Sequence, residues 1–198
     1  MRKLLWLVPV ALFVINCGGG GGNLMPLTVG NTWNYRTIST IDFVDTSYTD
    51  VVDTTTSVSE ITAETTLDDS TEVFEQVSTT TIDTVDYVDT SFVLDNGDFV
   101  LVYADKADAV PDTMIAYPVE ESKTWTVNAT TTAVVIGKED VTVTAGTFDC
   151  WKIGYIVDSD TSFTFVADGT GTVKSTFGSA DNMMTTTSST ELQSSDIQ

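Results

Sequence analysis

Two thiols, a surplus of carboxylates and one lysine set among glycines are the residues of this chain that could do chemistry. Cys17 follows an apolar run and precedes five glycines, whereas Cys150 stands inside a β-patterned run. The sequence holds no histidine, which removes Ser-His-Asp and Cys-His nucleophiles, the HExxH zinc site and histidine-ligated haem. The acidic turns Asp68-Asp69, Asp95 to Asp98, Glu139-Asp140 and Asp158 to Asp160 offer hard oxygen ligands of the kind calcium takes, but none has DxDxDG spacing. Paired carboxylates for glycoside chemistry can be drawn almost anywhere among 29 Asp and Glu, so their presence singles out no pair. Lys174, behind Gly169, Gly171 and Val173, could touch a ligand or pair with a carboxylate, and the second use is the commoner one. The expectation is a protein that is not an enzyme and needs neither cofactor nor metal.

The element that must position Cys150 is the stretch Val141 to Val157, two alternating runs joined at Ala145-Gly146. Trp151, Ile153, Tyr155 and Val157 share one parity of a period-2 repeat and read as the core face of a central strand. Phe148, Cys150 and Ile156 fall on the other parity, interrupted by Lys152 and Gly154, so that face should be only partly covered. Cys150 is expected to be a small buried hydrophobe.

Charge sets the company the chain can keep. Eight Lys and Arg against the 29 acids give a formal charge of -21. The cations after the amino-terminal segment, Arg36, Lys106, Lys123, Lys138, Lys152 and Lys174, are scattered singly and cannot neutralise a run of phosphates, so nucleic acid is excluded as a partner. A length of 198 residues with aromatics throughout suits one domain with a substantial core, residues 24–198.

Taken in order, Met25 to Tyr35 (MPLTVGNTWNY) sets a turn with Pro26 and Gly30, and Trp33 and Tyr35 begin a strand. The spacing is echoed in PVEESKTW, Pro118 to Trp125, which suggests a Trp plugging each end of a curved sheet. Ile38 to Phe43, Tyr48 to Thr66, Thr71 to Thr81 and Val85 to Leu94 read as long ribbons. Thr there replaces Val, keeping the β-branched preference for extended backbone with one solvated face. Asp95-Asn96-Gly97-Asp98 marks a hairpin whose return strand places Phe99, Leu101 and Tyr103 on one face. Asp105 to Asp112 reads as a loop or at most one helical turn. Thr131 to Ile136 should end in a turn at Gly137 to Asp140, Asp158 to Asp160 should turn again, and Gly171 to Phe177 should return. Met183 to Asp196 is either a closing strand or a frayed tail. Little or no helix is expected, and the class is all-β.

At the amino terminus Arg2 and Lys3 precede an apolar run from Leu4 to Ile15, too short to span a bilayer comfortably, and the pattern is that of an export signal. Val14, Ile15, Asn16 and Cys17 resemble the lipobox of bacterial lipoproteins, although Asn16 is larger than the residue usual before the Cys. The resemblance implies cleavage of residues 1–16, lipidation of Cys17 and a membrane partner through that lipid. Gly18 to Gly22 would act as a flexible tether within residues 17–23. Gly18, rather than Asp, after the Cys implies the outer membrane by the same resemblance. With Cys17 lipidated, Cys150 has no partner for a disulfide within the chain.

PLTVGNTWNY, AGTFDCWKI and ADGTGTVKSTFG are similar to segments of a broad group of β-rich bacterial lipoproteins of unassigned function. The matching positions are Gly30, Trp33, Ala145 to Phe148, Gly169, Gly171, Val173 and Lys174. The resemblance implies an antiparallel, strongly curled sheet forming an open or incomplete barrel, similar in outline to periplasmic lipoprotein carriers but without their helical plug. Two uses follow: a non-catalytic envelope protein engaging other envelope components, or a module holding a lipid or acyl chain in the cup. The candidate ligand-lining residues for the second are Leu101, Tyr103, Trp151, Tyr155 and Phe163.

Overall fold

The structure, a computed structural model, describes residues 24–45, 47–158, 160–181 and 183–198. The signal, Cys17 and the glycine tether lie outside the described residues. Twelve strands follow in order: β1 (Thr32–Phe43), β2 (Val51–Thr66), β3 (Glu72–Ile82), β4 (Val85–Asp95), β5 (Phe99–Tyr103), β6 (Asp112–Ala116), β7 (Thr124–Thr126), β8 (Thr131–Val143), β9 (Gly146–Val157), β10 (Asp160–Ala167), β11 (Gly171–Ala180) and β12 (Met184–Asp196). There is no helix among the described residues.

Every ladder is antiparallel, and each strand pairs with its neighbours in sequence except between β6 and β7. The terminal strands β1 and β12 also pair, from Thr32 opposite Asp196 to Phe43 opposite Met184. Only β6 and β7 have no ladder between them, so the sheet is nearly closed into a barrel with one unsealed seam. Met184 to Asp196 is thus a closing strand, held on both edges by β1 and β11.

Turn chemistry agrees with the hairpins. At the β4–β5 turn Gly97 takes φ +85°, Asp95 Oδ1 accepts from the Gly97 amide at 2.7 Å, and Asn96 Oδ1 accepts from Asp98 and Phe99. Such short Asx bonds stand in for ladder bonds where the backbone reverses.

The run from Thr131 does not turn at Gly137 to Asp140. β8 continues to Val143, and the extra residue is absorbed as a register shift between Val135 and Gly137, where Gly137 takes φ +151°. A bulge costs less than breaking a ladder, and it keeps the charged residues in usable pairs. Lys138 meets Asp149 at 2.6 Å and Lys152 meets Glu139 at 3.4 Å across β8 and β9. β9 is paired on both edges, but it lies two strands from the seam rather than mid-sheet. Both of its parities are covered in part, as expected for the face of Cys150: Cys150 and Ile153 are fully buried and Phe148 packs on the core, while Ile156 and Val157 are exposed.

The main core joins Trp33, Tyr35, Ile61, Val93, Val100, Ile115, Ala133, Ile153 and Leu192 from strands all round the ring. Leu24, Met25 and Leu27 enter it from the segment before β1 and are buried there. Leu24, Met25 and Leu27 are therefore core material rather than spacer. β8 also touches β11 and β12 across the interior, and the Ala145 amide donates to the Leu192 carbonyl at 3.3 Å. The ring is flattened, so opposite walls pack on each other.

Candidate functional site

The seam is the place where the sheet is incomplete, and it is closed by side chains more than by backbone. Among the described residues one backbone bond crosses it, from the Thr113 amide to the Val127 carbonyl at 3.0 Å. Trp125 Nε1 donates to the Thr113 carbonyl at 2.9 Å, and the Tyr155 hydroxyl donates to the Met114 carbonyl at 2.8 Å. Burial raises the Tyr155 pKa, so the phenol stays a donor. Lys123 Nζ gathers the carbonyls of Tyr117 and Pro118 in the loop that joins the two edges.

Away from the seam the inner parity of the long strands changes character. Trp33 and Tyr35 are apolar filling, and the next residues of the same parity on β1 are Thr37 and Ser39. Thr37 bonds Thr190 at 2.8 Å and Ser39 bonds Ser188 at 3.3 Å, while Ser59 bonds Ser78 at 3.2 Å on the β2–β3 side. The wall above the core is therefore lined with hydroxyls that satisfy one another across strands. Gln76 is 1% exposed; its Nε2 donates to Ser59 Oγ at 2.5 Å, and its Oε1 has no partner.

A second, smaller cluster of Leu67, Val73, Phe92 and Tyr103, flanked by Leu94 and Leu101, is separate from the main core. Lys106 lies over the Phe92 ring at 5.2 Å and donates to Thr65 Oγ1 at 2.8 Å. Beside it Asp68, Asp69, Lys106, Ala107, Asp108 and Ala109 line a cleft of about 360 Å³.

The five ligand-lining candidates do not meet at one cavity. Leu101 and Tyr103 belong to the small cluster, and Trp151, Tyr155 and Phe163 pack against the main core. Lys138 lies over Trp151 at 5.1 Å and Lys152 lies over Phe163 at 5.0 Å, so two of the four aromatic candidates serve as seats for cations. Sequence reading did not single out Trp125 as a seam residue or Gln76 as buried. Gln76 shares its face with Phe74 and Ser78 on a strand of mixed polarity, a pattern that carries no burial signal.

The chemistry-bearing residues are placed as follows. Cys150 is buried, and its thiol is pushed up to about 12 by burial first and by Asp149, Asp140 and Glu139 next, which leaves it protonated and unreactive. Lys174 pairs with Glu191 at 2.7 Å across β11 and β12. Asp69 Oδ1 accepts from the Thr71 amide, and this bond holds its carboxyl below the usual range. Asp95 is raised, chiefly by burial, beside the Tyr117 hydroxyl. Among the described residues no three acidic or thiol side chains converge as a metal site.

Residues 101–192 match a family described as DUF3108-like. No curated protein matches the chain. Among solved structures, a provisionally named lipoprotein of Parabacteroides distasonis is 13% identical with a TM-score of 0.50, over 90% of this chain and 100% of that one. An exported protein of Bacteroides fragilis with a YmcC-like fold is 13% identical with a TM-score of 0.44, over 86% of this chain and 97% of that one. What the chain shares with the Parabacteroides protein is the fold, the long antiparallel sheet curled upon itself.

Proposed function

We propose that this chain is a non-catalytic protein of the cell envelope, exported, anchored at the outer membrane through a lipid on Cys17, and engaged with other envelope components through its sheet. The observation that carries the reading is the filled interior. Trp33, Met25, Ile61, Ile153 and Leu192 are buried against one another, and above them the inner wall is hydroxyl-lined. An acyl carrier requires an apolar cup with few polar groups. Export and anchoring rest on Arg2-Lys3, the apolar run and Cys17 with its glycines, and the lipoprotein name of the similar Parabacteroides structure agrees with them. Residues 24–198 act as a single unit in this reading.

Mass spectrometry of the membrane-extracted protein tests both halves. The expected product lacks residues 1–16, carries a lipid increment on Cys17, and releases no second lipid on organic extraction. An unmodified Cys17 in a soluble product would overturn the anchoring. A reproducible additional lipid, lost on placing a charge at Tyr155 with folding intact, would make the protein a carrier instead.

A further inference from the structure

The β4 strand is paired on one side only from Val85 to Ser91. Val85 to Val93 are in register with β3, but the ladder to β5 covers only Phe92 to Asp95. Among the described residues, no backbone bond other than those to β3 reaches Val85 to Ser91. The outward amides and carbonyls of this segment are left to solvent, and Val85, Tyr87 and Val88 beside them are 52%, 58% and 65% exposed. Natural sheets blunt such an edge with charged side chains, proline, a bulge or a covering loop. Here the segment reads VDYVDTS, runs without a register shift against β3, and of these devices has only the charge of Asp86 and Asp89.

The charge on this edge has one sign. Asp83, Asp86 and Asp89 line it, and neither β3 nor β4 contains a lysine or arginine. Asp86 and Asp89 are three residues apart, so they stand on opposite faces of the strand, with Tyr87 and Val88 between them. A second copy of this chain would bring aspartates against aspartates on a molecule of charge -21. The antiparallel order also puts the β3–β4 turn at the end of the barrel opposite Leu24, where the chain enters from its tether. The edge therefore points away from the anchored end.

We propose that Val85 to Ser91 of β4 is a docking edge for an extended segment of a partner protein bearing lysines or arginines three positions apart between apolar residues. The partner adds a strand through backbone bonds. Its cations, falling on alternate faces, meet Asp86 and Asp89, and its apolar residues cover Tyr87 and Val88. This rests on the interaction reading above and names the surface and the chemistry of the partner.

The probe is a short acetylated and amidated peptide with two lysines three positions apart among valines, added to the full chain. Hydrogen–deuterium exchange should show protection gained at alternate amides of Val85 to Ser91. Asp86→Lys with Asp89→Lys, both at exposed positions, should weaken binding about tenfold or more with unchanged melting. The same peptide N-methylated at alternate residues should not bind. Protection appearing elsewhere, or equal binding of the N-methylated peptide, would reduce the effect to general attraction by an acidic surface and overturn the proposal. So would concentration-dependent dimerisation that protects the same amides without peptide, since the occupant would then be a second copy. A lipid found in the core would overturn the earlier reading without altering these protections, so the two failures are separable.

Discussion

The hydroxyl of Tyr155 on β9 reaches the carbonyl of Met114 on β6 at 2.8 Å, beyond both β8 and β7 in the order of the sheet. With Trp125 it ties the two edges that the backbone leaves almost unjoined. Tyr155→Phe keeps the ring and removes the donor, leaving the part-buried Met114 carbonyl without that bond. A loss of about 1–3 kcal/mol is expected, with faster amide exchange in residues 112–116 and 124–126. An unchanged melting temperature and unchanged exchange there would mean that the seam is held by packing alone.

Trp33 is the largest fully buried side chain, and its Nε1 donates to the Thr170 carbonyl at 2.8 Å. Trp33→Ala should cost about 3–5 kcal/mol in denaturant unfolding, because the flattened core has strands on all sides and collapses poorly. Trp151→Ala removes a half-buried ring under Lys138 and should cost clearly less. The reverse order would place the packing centre at β9.

Gln76 Oε1 is buried without a partner. Ser59, which accepts from its Nε2, keeps its bond to Ser78 if the amide is lost. Gln76→Met should therefore be neutral or stabilising by up to about 1–2 kcal/mol. A loss beyond that in chemical denaturation would show that the amide is satisfied in solution, for instance by a bound water.

Alkali should destabilise the fold. Cys150 is held protonated to about 12 from an ordinary value of 9.0, and burial raises Tyr35 and Tyr155 as well. The unfolded chain gives up these protons first, so between about pH 9 and 12 it binds fewer protons than the native state, and stability falls as pH rises. Below pH 9 these groups leave stability flat. Cys150→Ala should soften that slope, and in the native protein near pH 8 the thiol should react with a disulfide reagent only after denaturant is added. Fast labelling of the folded chain would show that β9 opens locally.

Lys174 and Glu191 are each about a quarter exposed, so their 2.7 Å contact is partly screened. Lys174→Met should change stability by no more than about 1 kcal/mol. A larger loss in thermal unfolding would assign this lysine a role beyond the pair.

Local chemistry alone fixed most strands of this protein, because alternation, β-branched residues and Asn-Gly or Asp-Gly turns act between near neighbours. Trp33 and Tyr35 on β1, the hairpin at Asp95 to Asp98, and the hairpin at Ala145-Gly146 are legible for that reason. Charge and the lack of histidine likewise bounded the chemistry before any fold was considered. Tertiary structure decided what depends on distant partners. Gly137 to Asp140 carries turn residues, yet β9 holds it in a ladder. The short β6 and β7 carry too few residues to show a period, and only the ring gives them an edge each. Leu101 and Tyr103 look like core by parity, but the curl of the sheet sends them to a second cluster away from Tyr155 and Trp151. Met184 to Asp196 could have been strand or tail by composition; two flanking strands, β1 and β11, made it the stave that closes the ring.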